Sequence, residues 1–291
     1  MTSATEPLLA AAKELGVELC GIVESGPPTH FDAFERWIQT GMNAGMEHFV
    51  RHFEARKHPE ALLPGVRSIL MLGISYAKVL TSTPHPIRQL SGIVEYARGT
   101  DYHRWIRHRL ERLAEKHREL FPAGRSRGTV DTAPILEKEF AAAAGLGTIG
   151  KNTLLIHRTL GSKLFLAAFL STEMLEPTPQ PEPFDPCGEC RRCLDACPTG
   201  ALVEPFVLDA RRCLSYWTLI HRGELPEEIA ATRRHRFLGC DTCQSVCPNN
   251  RSIPVIPEGT LDPFSLVPNE LRHFLTGSPL EKLSIVAPGS P

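Results

Sequence analysis

Eight of the chain's nine cysteines fall between Cys187 and Cys247, and that block limits the fold and the chemistry more than any other feature. It opens with CGECRRCLDACPTGAL, in which Cys187, Cys190, Cys193 and Cys197 follow the C-x2-C-x2-C-x3-C-P run that wraps a cubic 4Fe–4S cluster. Thiolates three residues apart converge on adjacent corners of one cube, whereas the fourth, ahead of Pro198, is directed toward a neighbouring cluster. Cys213 then stands alone, and GCDTCQSVCPNN supplies Cys240, Cys243 and Cys247, with Pro248 directly after the last cysteine. The doubled pattern predicts crossed ligation. Cys187, Cys190, Cys193 and Cys247 hold one cluster, and Cys197, Cys213, Cys240 and Cys243 hold the other, with no thiolate left over.

Two other uses of eight cysteines compete with this one. Disulfide frameworks belong to short secreted chains, and this sequence is neither short nor opened by a signal-peptide pattern. Zinc sites built from four cysteines also use C-x2-C pairs, but two and two, whereas a triple run closed by Cys-Pro is the iron–sulfur spelling.

The chain has 291 residues, 42% hydrophobic and 22% charged, as expected of a soluble globular protein of about two domains. It has no apolar run of the roughly eighteen residues a membrane helix needs, and its N-terminus has no basic n-region or twin arginine, so the cytoplasm is expected and no membrane partner. The net charge of −1 hides a local asymmetry, with nine Lys/Arg against four Asp/Glu between Arg98 and Arg127. Such a stripe reads either as a solvated helix face or as a phosphate-binding surface.

In chain order, Leu8, Leu9, Ala12 and Leu15 predict a helix over 5–15 closed by Gly16, and ELCGIV predicts a strand holding Cys20 as a small core hydrophobe. A helix is expected around 31–40, a turn of helix between Pro59 and Pro64, and a buried strand at 68–74. A loop at 81–87 precedes a long helix in which Trp105, Ile106, Leu110, Leu113 and Ala114 form the apolar stripe. GTVDTAP ends a strand and starts a helix with Pro134 at N1 and residues 135–144 helical, terminated by the glycines of GLGTIGKN. Two apolar segments flank a tight turn at Gly161. The alternation predicts an α/β (α+β) body over residues 1–178. EPTPQPEPFDP reads as a stiff linker to a ferredoxin-like domain at 184–252, in which a helix carries Cys213, and 253–291 reads as a wrapping tail.

VDTAPILEKEFAAAAGLGTIGKN, followed by the two cysteine segments, resembles the epoxyqueuosine reductases, the cobalamin-dependent iron–sulfur enzymes of queuosine tRNA maturation. EYARGTDYH and RKHPEALLPGVRSIL resemble the same family, so the likeness runs from about residue 50 to 255. It implies a cobalamin on the first domain beside one of two 4Fe–4S clusters, reduction of epoxyqueuosine at the tRNA wobble position, and Asp131 of the VDTAP motif as proton donor. Opening an epoxide to an alkene with loss of water takes two electrons and protons, which clusters recharging a cobalt centre can deliver, so corrin, clusters and acid must be neighbours. As a helix cap, Asp131 would have its pKa lowered; to donate a proton at neutral pH it must instead be desolvated against the corrin.

Arg56, Tyr96 and Lys151 occupy motif positions near the corrin cleft. Backbone at Gly147 and Gly150 is expected to approach the macrocycle closely, and Ser215 and Asp241 complete the cofactor-binding set. His103, His157 and His221 are conceivable cobalt ligands, but the D-x-H-x-x-G signature is absent and no protein histidine is expected on cobalt. The partners implied are a tRNA anticodon stem-loop carrying epoxyqueuosine and a low-potential electron donor, acting on a monomer. Many members continue into a helical-repeat tail that this sequence lacks, so dependence on the anticodon stem-loop is expected. Two other readings are a cytoplasmic relative of the corrinoid reductive dehalogenases and a ferredoxin-like electron carrier.

Overall fold

A computed structural model describes residues 5–77, 92–97, 101–234 and 236–251. The loop expected at 81–87 and the tail at 253–291 lie outside the described residues. Helices in chain order are α1 (Thr5–Glu14), α2 (Phe31–Gln39), α3 (Glu47–Arg51), α4 (Phe53–Lys57), α5 (Tyr102–Leu120), α6 (Glu137–Ala143), α7 (Arg192–Asp195), α8 (Glu227–Arg233) and α9 (Thr242–Ser245). Strands are β1 (Leu19–Glu24), β2 (Ser68–Ser75), β3 (Ser126–Thr129), β4 (Thr148–Ile149), β5 (Leu155–Ile156), β6 (Leu164–Ser171), β7 (Leu202–Glu204) and β8 (Val207–Leu208).

Four strands form the central sheet in the order β1-β2-β6-β3, and every pairing is antiparallel. The α+β side of the expectation therefore holds. SILMLGIS is buried at all eight positions, a spelling more usual in parallel sheets, because helices cover both faces here too. The period of two sorts it cleanly. Leu70, Leu72 and Ile74 join Leu8, Ile106, Leu110 and Phe169 under α1 and α5, while Ile69 and Met71 join Phe140, Ala141 and Leu170 under α6. Fully burying each of the larger side chains stabilises the fold by about 1.5–3 kcal/mol. Close approach of α6 requires Gly21 on β1, where a Cβ would lie 2.1 Å from the Ala144 carbonyl oxygen.

Two local expectations are corrected. The helix after VDTAP begins at Glu137 with Leu136 as N-cap, not at Pro134. The preceding residues instead close tight turns, Thr132 N to Val130 O at 2.6 Å and Ile135 N to Ala133 O at 2.8 Å. Cys213 is not carried by a helix. It ends a 3-10 turn at Ala210–Arg212 and precedes a π-helical turn at Tyr216–Ile220.

The proline-rich segment is more than a spacer. Thr178 exchanges hydrogen bonds with the Ile22 backbone on β1, and Gln180 Nε2 donates to Ala143 O at 2.6 Å, so the segment is pinned along the sheet edge and α6. The cysteine region is fixed to the body by a buried polar knot. Tyr76 O–H donates to Gln244 Oε1 at 3.0 Å, Gln244 Nε2 donates to Ser162 O at 2.9 Å, and Ser162 N donates to Asn250 Oδ1 at 2.7 Å.

Candidate active site

Cys187, Cys190, Cys193 and Cys247 line one pocket with Asn152, Ile156 and Pro248. In the other expected set, burial and then the neighbouring thiols of Cys240, Cys213 and Cys197, with Cys193 of the first set, push the Cys243 thiol up to about 12. Among the described residues no three His, Cys, Asp or Glu side chains converge closely enough to hold a single ion. Amides point at the sulfurs, Ala201 N to Cys197 Sγ at 3.2 Å and Lys151 N to Cys187 Sγ at 3.4 Å, and such hydrogen bonds help set a cluster's potential.

Asp131 lies in the turn between β3 and α6, with φ +58°, left-handed for a residue that is not glycine. Asp tolerates that region better than most residues, yet holding it there costs of order 1–3 kcal/mol. It is not a helix cap. Tyr102 O–H donates to its Oδ2 at 2.6 Å, and His103 Nε2 lies 3.4 Å from the same oxygen. His103 Nδ1 is 2.7 Å from Asp101 Oδ1, so the imidazole sits between two carboxylates. This geometry follows from one cap: the Asp101 side chain accepts from His103 N at 2.9 Å and opens α5, setting Tyr102 and His103 in its first turn.

The His103 hydrogen bond holds the Asp131 carboxyl below the usual carboxylate range, with partial burial opposing and Tyr102 assisting. The same bond raises the His103 pKa, against burial and with help from Asp101. Both shifts favour the pair with the proton on His103 and the charge on Asp131. Asp131 is crowded by neighbouring elements, yet its side chain remains 60% exposed, so the cleft is open on one side. Sequence reasoning named His103 only as a conceivable cobalt ligand and passed over Tyr102; the Asp-Tyr-His start of an amphipathic helix was the signal that could have found both.

The expected corrin contacts divide. Tyr96 belongs to the cleft: its ring is 6.1 Å from that of Tyr102, and burial together with the charges of Asp131 and Asp241 raises its hydroxyl pKa. Asp241 accepts from Glu95 N at 2.7 Å beside Cys240 and so joins the cleft to the second cysteine set. Arg56 is buried, donates to the carbonyls of His48 and His52, and lies within charge range of Glu137. Lys151 Nζ donates to Gly188 O at 2.5 Å and Cys190 O at 3.1 Å, and Ser215 Oγ accepts from Cys240 N at 3.1 Å, so both brace cysteine loops. Gly147 and Gly150 are required within their own hairpin, where a Cβ would meet Ile156 at 2.5 and 2.4 Å. His157 Nδ1 accepts the Leu160 amide, and the His221 ring packs on Trp217.

The basic stripe is largely consumed by structure. Arg109, Arg125 and Arg127 donate to the carbonyls of Leu15, Pro64 and Leu62, and Arg112 and Lys116 pair with Glu115 and Glu119. Arg104 and Arg107 remain exposed on the first turns of α5, beside Tyr102 and His103. Arg98 lies outside the described residues.

A domain that packs two four-cysteine sets beside an acid-bearing cleft on an α+β body defines an iron–sulfur oxidoreductase. Residues 186–250 match the family model for a 4Fe-4S double cluster binding domain, and residues 56–132 match that for epoxyqueuosine reductase QueG, DUF1730. The epoxyqueuosine reductase of Pseudomonas aeruginosa is 39% identical over 93% of this chain and 73% of its own length. Curated relatives run longer, and the chain spans 66% of the one from Escherichia coli. Similar solved structures include an epoxyqueuosine reductase with an epoxyqueuosine-modified tRNA-Tyr stem loop, 32% identical with TM-score 0.77 over 94% of this chain and 72% of that one. Another is the Bacillus subtilis enzyme with its catalytic aspartate loop swung out of the active site, 31% identical with TM-score 0.78 over 97% of this chain and 80% of that one. The chain belongs to the epoxyqueuosine reductase family and is an oxidoreductase of that activity. A reductive dehalogenase shares the fold at 15% identity, TM-score 0.53, over 96% of this chain and 35% of its own.

Proposed function

We propose that the chain reduces epoxyqueuosine to queuosine at the wobble position of tRNA. In this reading cobalamin sits on the body of residues 1–178, two 4Fe–4S clusters are held by residues 184–252, and Asp131 is the proton donor. One arrangement carries it: the Tyr96 ring lies 6.1 Å from that of Tyr102, whose hydroxyl donates to Asp131, and the neighbouring Glu95 N–H donates to Asp241 beside Cys240, which supports one cleft shared by the acid and the second cysteine set. A carboxylate open on one side between the rings of Tyr96 and Tyr102 fits a flat macrocycle and a splayed base.

Removing the epoxide oxygen as water to leave an alkene consumes two electrons and two protons. Cobalamin, when bound, supplies the low-valent centre for carbon–oxygen chemistry, recharged by one-electron clusters. The protein's own work is proton placement. Filling the cleft with substrate strips water from Asp131 and His103, which raises the carboxyl pKa and lowers that of the imidazolium. One of the two protons then passes from His103 to Asp131 Oδ2 and on to the departing oxygen, and the second follows by the same route once His103 is reprotonated from solvent, while Asp101 keeps the imidazole aimed. Tyr96 and Asp241 are the expected corrin neighbours, and Arg56, Gly147, Gly150, Lys151 and Ser215 act one layer behind.

Recognition of a base in a tRNA stem loop fits Arg104 and Arg107, exposed in the opening turns of α5, which would grip phosphates while the base is splayed inward. On this reading the enzyme is a cytoplasmic monomer fed by a low-potential electron donor, since thiolate-held clusters suit a reducing compartment. The test is anaerobic turnover of a wobble-epoxyqueuosine hairpin by protein reconstituted with iron, sulfide and cobalamin, read by nucleoside mass spectrometry. Queuosine formed only when cobalamin is added is the expected result. Equal conversion without cobalamin, or none with it, would overturn the reading.

A further inference from the structure

The left-handed turn at Asp131 has a clamp that the reaction scheme does not yet use. The amides of Thr132 and Ile135 close on carbonyls inside the turn, but the Asp131 amide donates to a side chain six residues on, Glu137 Oε1, at 2.8 Å. Glu137 opens α6, a helix seated on the sheet through fully buried Ala141 and nearly buried Phe140. A strained backbone conformation persists only where the surroundings over-determine it, and here the acceptor projects from a fixed element to the strained residue. In the Bacillus subtilis relative the catalytic aspartate loop is swung out of the active site, so a loop of this kind has a second position.

We propose that Glu137 is a positioning residue: by accepting the Asp131 N–H it keeps the left-handed turn closed and the Asp131 carboxylate turned toward Tyr102 and His103. The proposal rests on the reading of Asp131 as proton donor. Burial, then the Asp131 charge, push the Glu137 carboxyl up to about 8, opposed by the Asp131 N–H that it accepts and then by Lys138 and Arg56. Tyr102, the other titratable neighbour, is itself held neutral by burial. A neutral carboxylic acid still accepts through its carbonyl oxygen and adds no second negative charge beside Asp131.

The experiment compares Glu137→Ala, Glu137→Gln and Asp131→Asn in the full chain carrying its clusters and cobalamin. Amide hydrogen exchange over residues 129–136 of Glu137→Ala should be about tenfold faster than in the unaltered protein, since the clamp opposes local opening. Its kcat should fall about tenfold with KM changed less than about twofold, because positioning is lost rather than binding. Glu137→Gln keeps an acceptor oxygen and should restore both. Unchanged exchange or unchanged kcat in Glu137→Ala overturns the proposal. If that variant does not fold, the unaltered protein decides: an Asp131 amide exchanging at the rate of an unstructured peptide overturns the clamp, and a protected one supports it. Full turnover by Asp131→Asn would remove the donor reading, while the exchange comparison would still decide whether the clamp exists.

Discussion

Asp131 gathers more constraints than any other residue of the cleft: a left-handed backbone, a tyrosine hydroxyl, a histidine and a glutamate on its amide. Asp131→Asn preserves size and hydrogen bonding but removes the transferable proton. Clusters and corrin should stay bound while turnover falls by about 10²–10⁴-fold, the usual worth of a general acid. In the proposed reaction His103 supplies the proton and its pKa is raised, so kcat should fall as pH rises through that raised value, and His103→Gln should flatten this limb of the profile. His117 makes a second pH argument, on stability. It is fully buried with Nε2 2.7 Å from Ser171 Oγ, and burial lowers its pKa. Above the ordinary value of about 6.5 neither state binds the proton and stability is complete. Below it the unfolded chain binds the proton first, so stability declines toward the folded pKa. Melting temperatures from pH 7 to about 5 should therefore drop more for the unaltered protein than for His117→Gln, and equal drops would show that other groups dominate acid unfolding.

At the scale of elements, the cysteine loops make the sharpest prediction. Cys247 follows α9 yet lines the pocket of Cys187, Cys190 and Cys193, so Cys247→Ser should damage the cluster of the first motif and spare that of Cys213. Electron paramagnetic resonance of the reduced protein separates the two, and loss of the second signal instead would refute the crossing. Packing of α6 on β1 gives a structural counterpart: Gly21→Ala forces a Cβ against the Ala144 carbonyl and should destabilise the fold by about 1–3 kcal/mol, read by denaturant midpoint. Much of this layer was legible in the sequence, because thiol spacing and the period of apolar residues are local codes. The all-antiparallel pairing was not, since a strand buried on both faces is spelled alike in either orientation. Nor was the start of α6, where the turn at 131–135 overrides the helix preference of Pro134. Tyr102, His103 and Glu137 escaped because their meaning arises only when α5, the β3–α6 turn and α6 meet.

For the molecule as a whole, the informative quantity is where positive charge remains after folding. The sequence places nine Lys/Arg between 98 and 127, but backbone carbonyls and helix glutamates occupy Arg109, Arg112, Lys116, Arg125 and Arg127. Arg211, also basic and near the clusters, is held by both oxygens of Asp209. Of the described Lys/Arg between 98 and 127, Arg104, Arg107 and Arg118 stay exposed without such a partner, the first two in the opening turns of the helix that carries Tyr102 and His103. Each phosphate neutralised there releases condensed counterions, so KM for a wobble-epoxyqueuosine hairpin should rise steeply with salt, and each arginine removed should reduce the slope of log KM against log salt by about one. Arg104→Gln with Arg107→Gln should raise KM for the hairpin and leave kcat and cluster content unchanged, whereas Arg112→Gln, which breaks only a helix ion pair, should change neither. A hairpin KM insensitive to both salt and the double variant would mean that phosphates are gripped elsewhere, and equal turnover of the free nucleoside would mean that these arginines play no part in substrate binding.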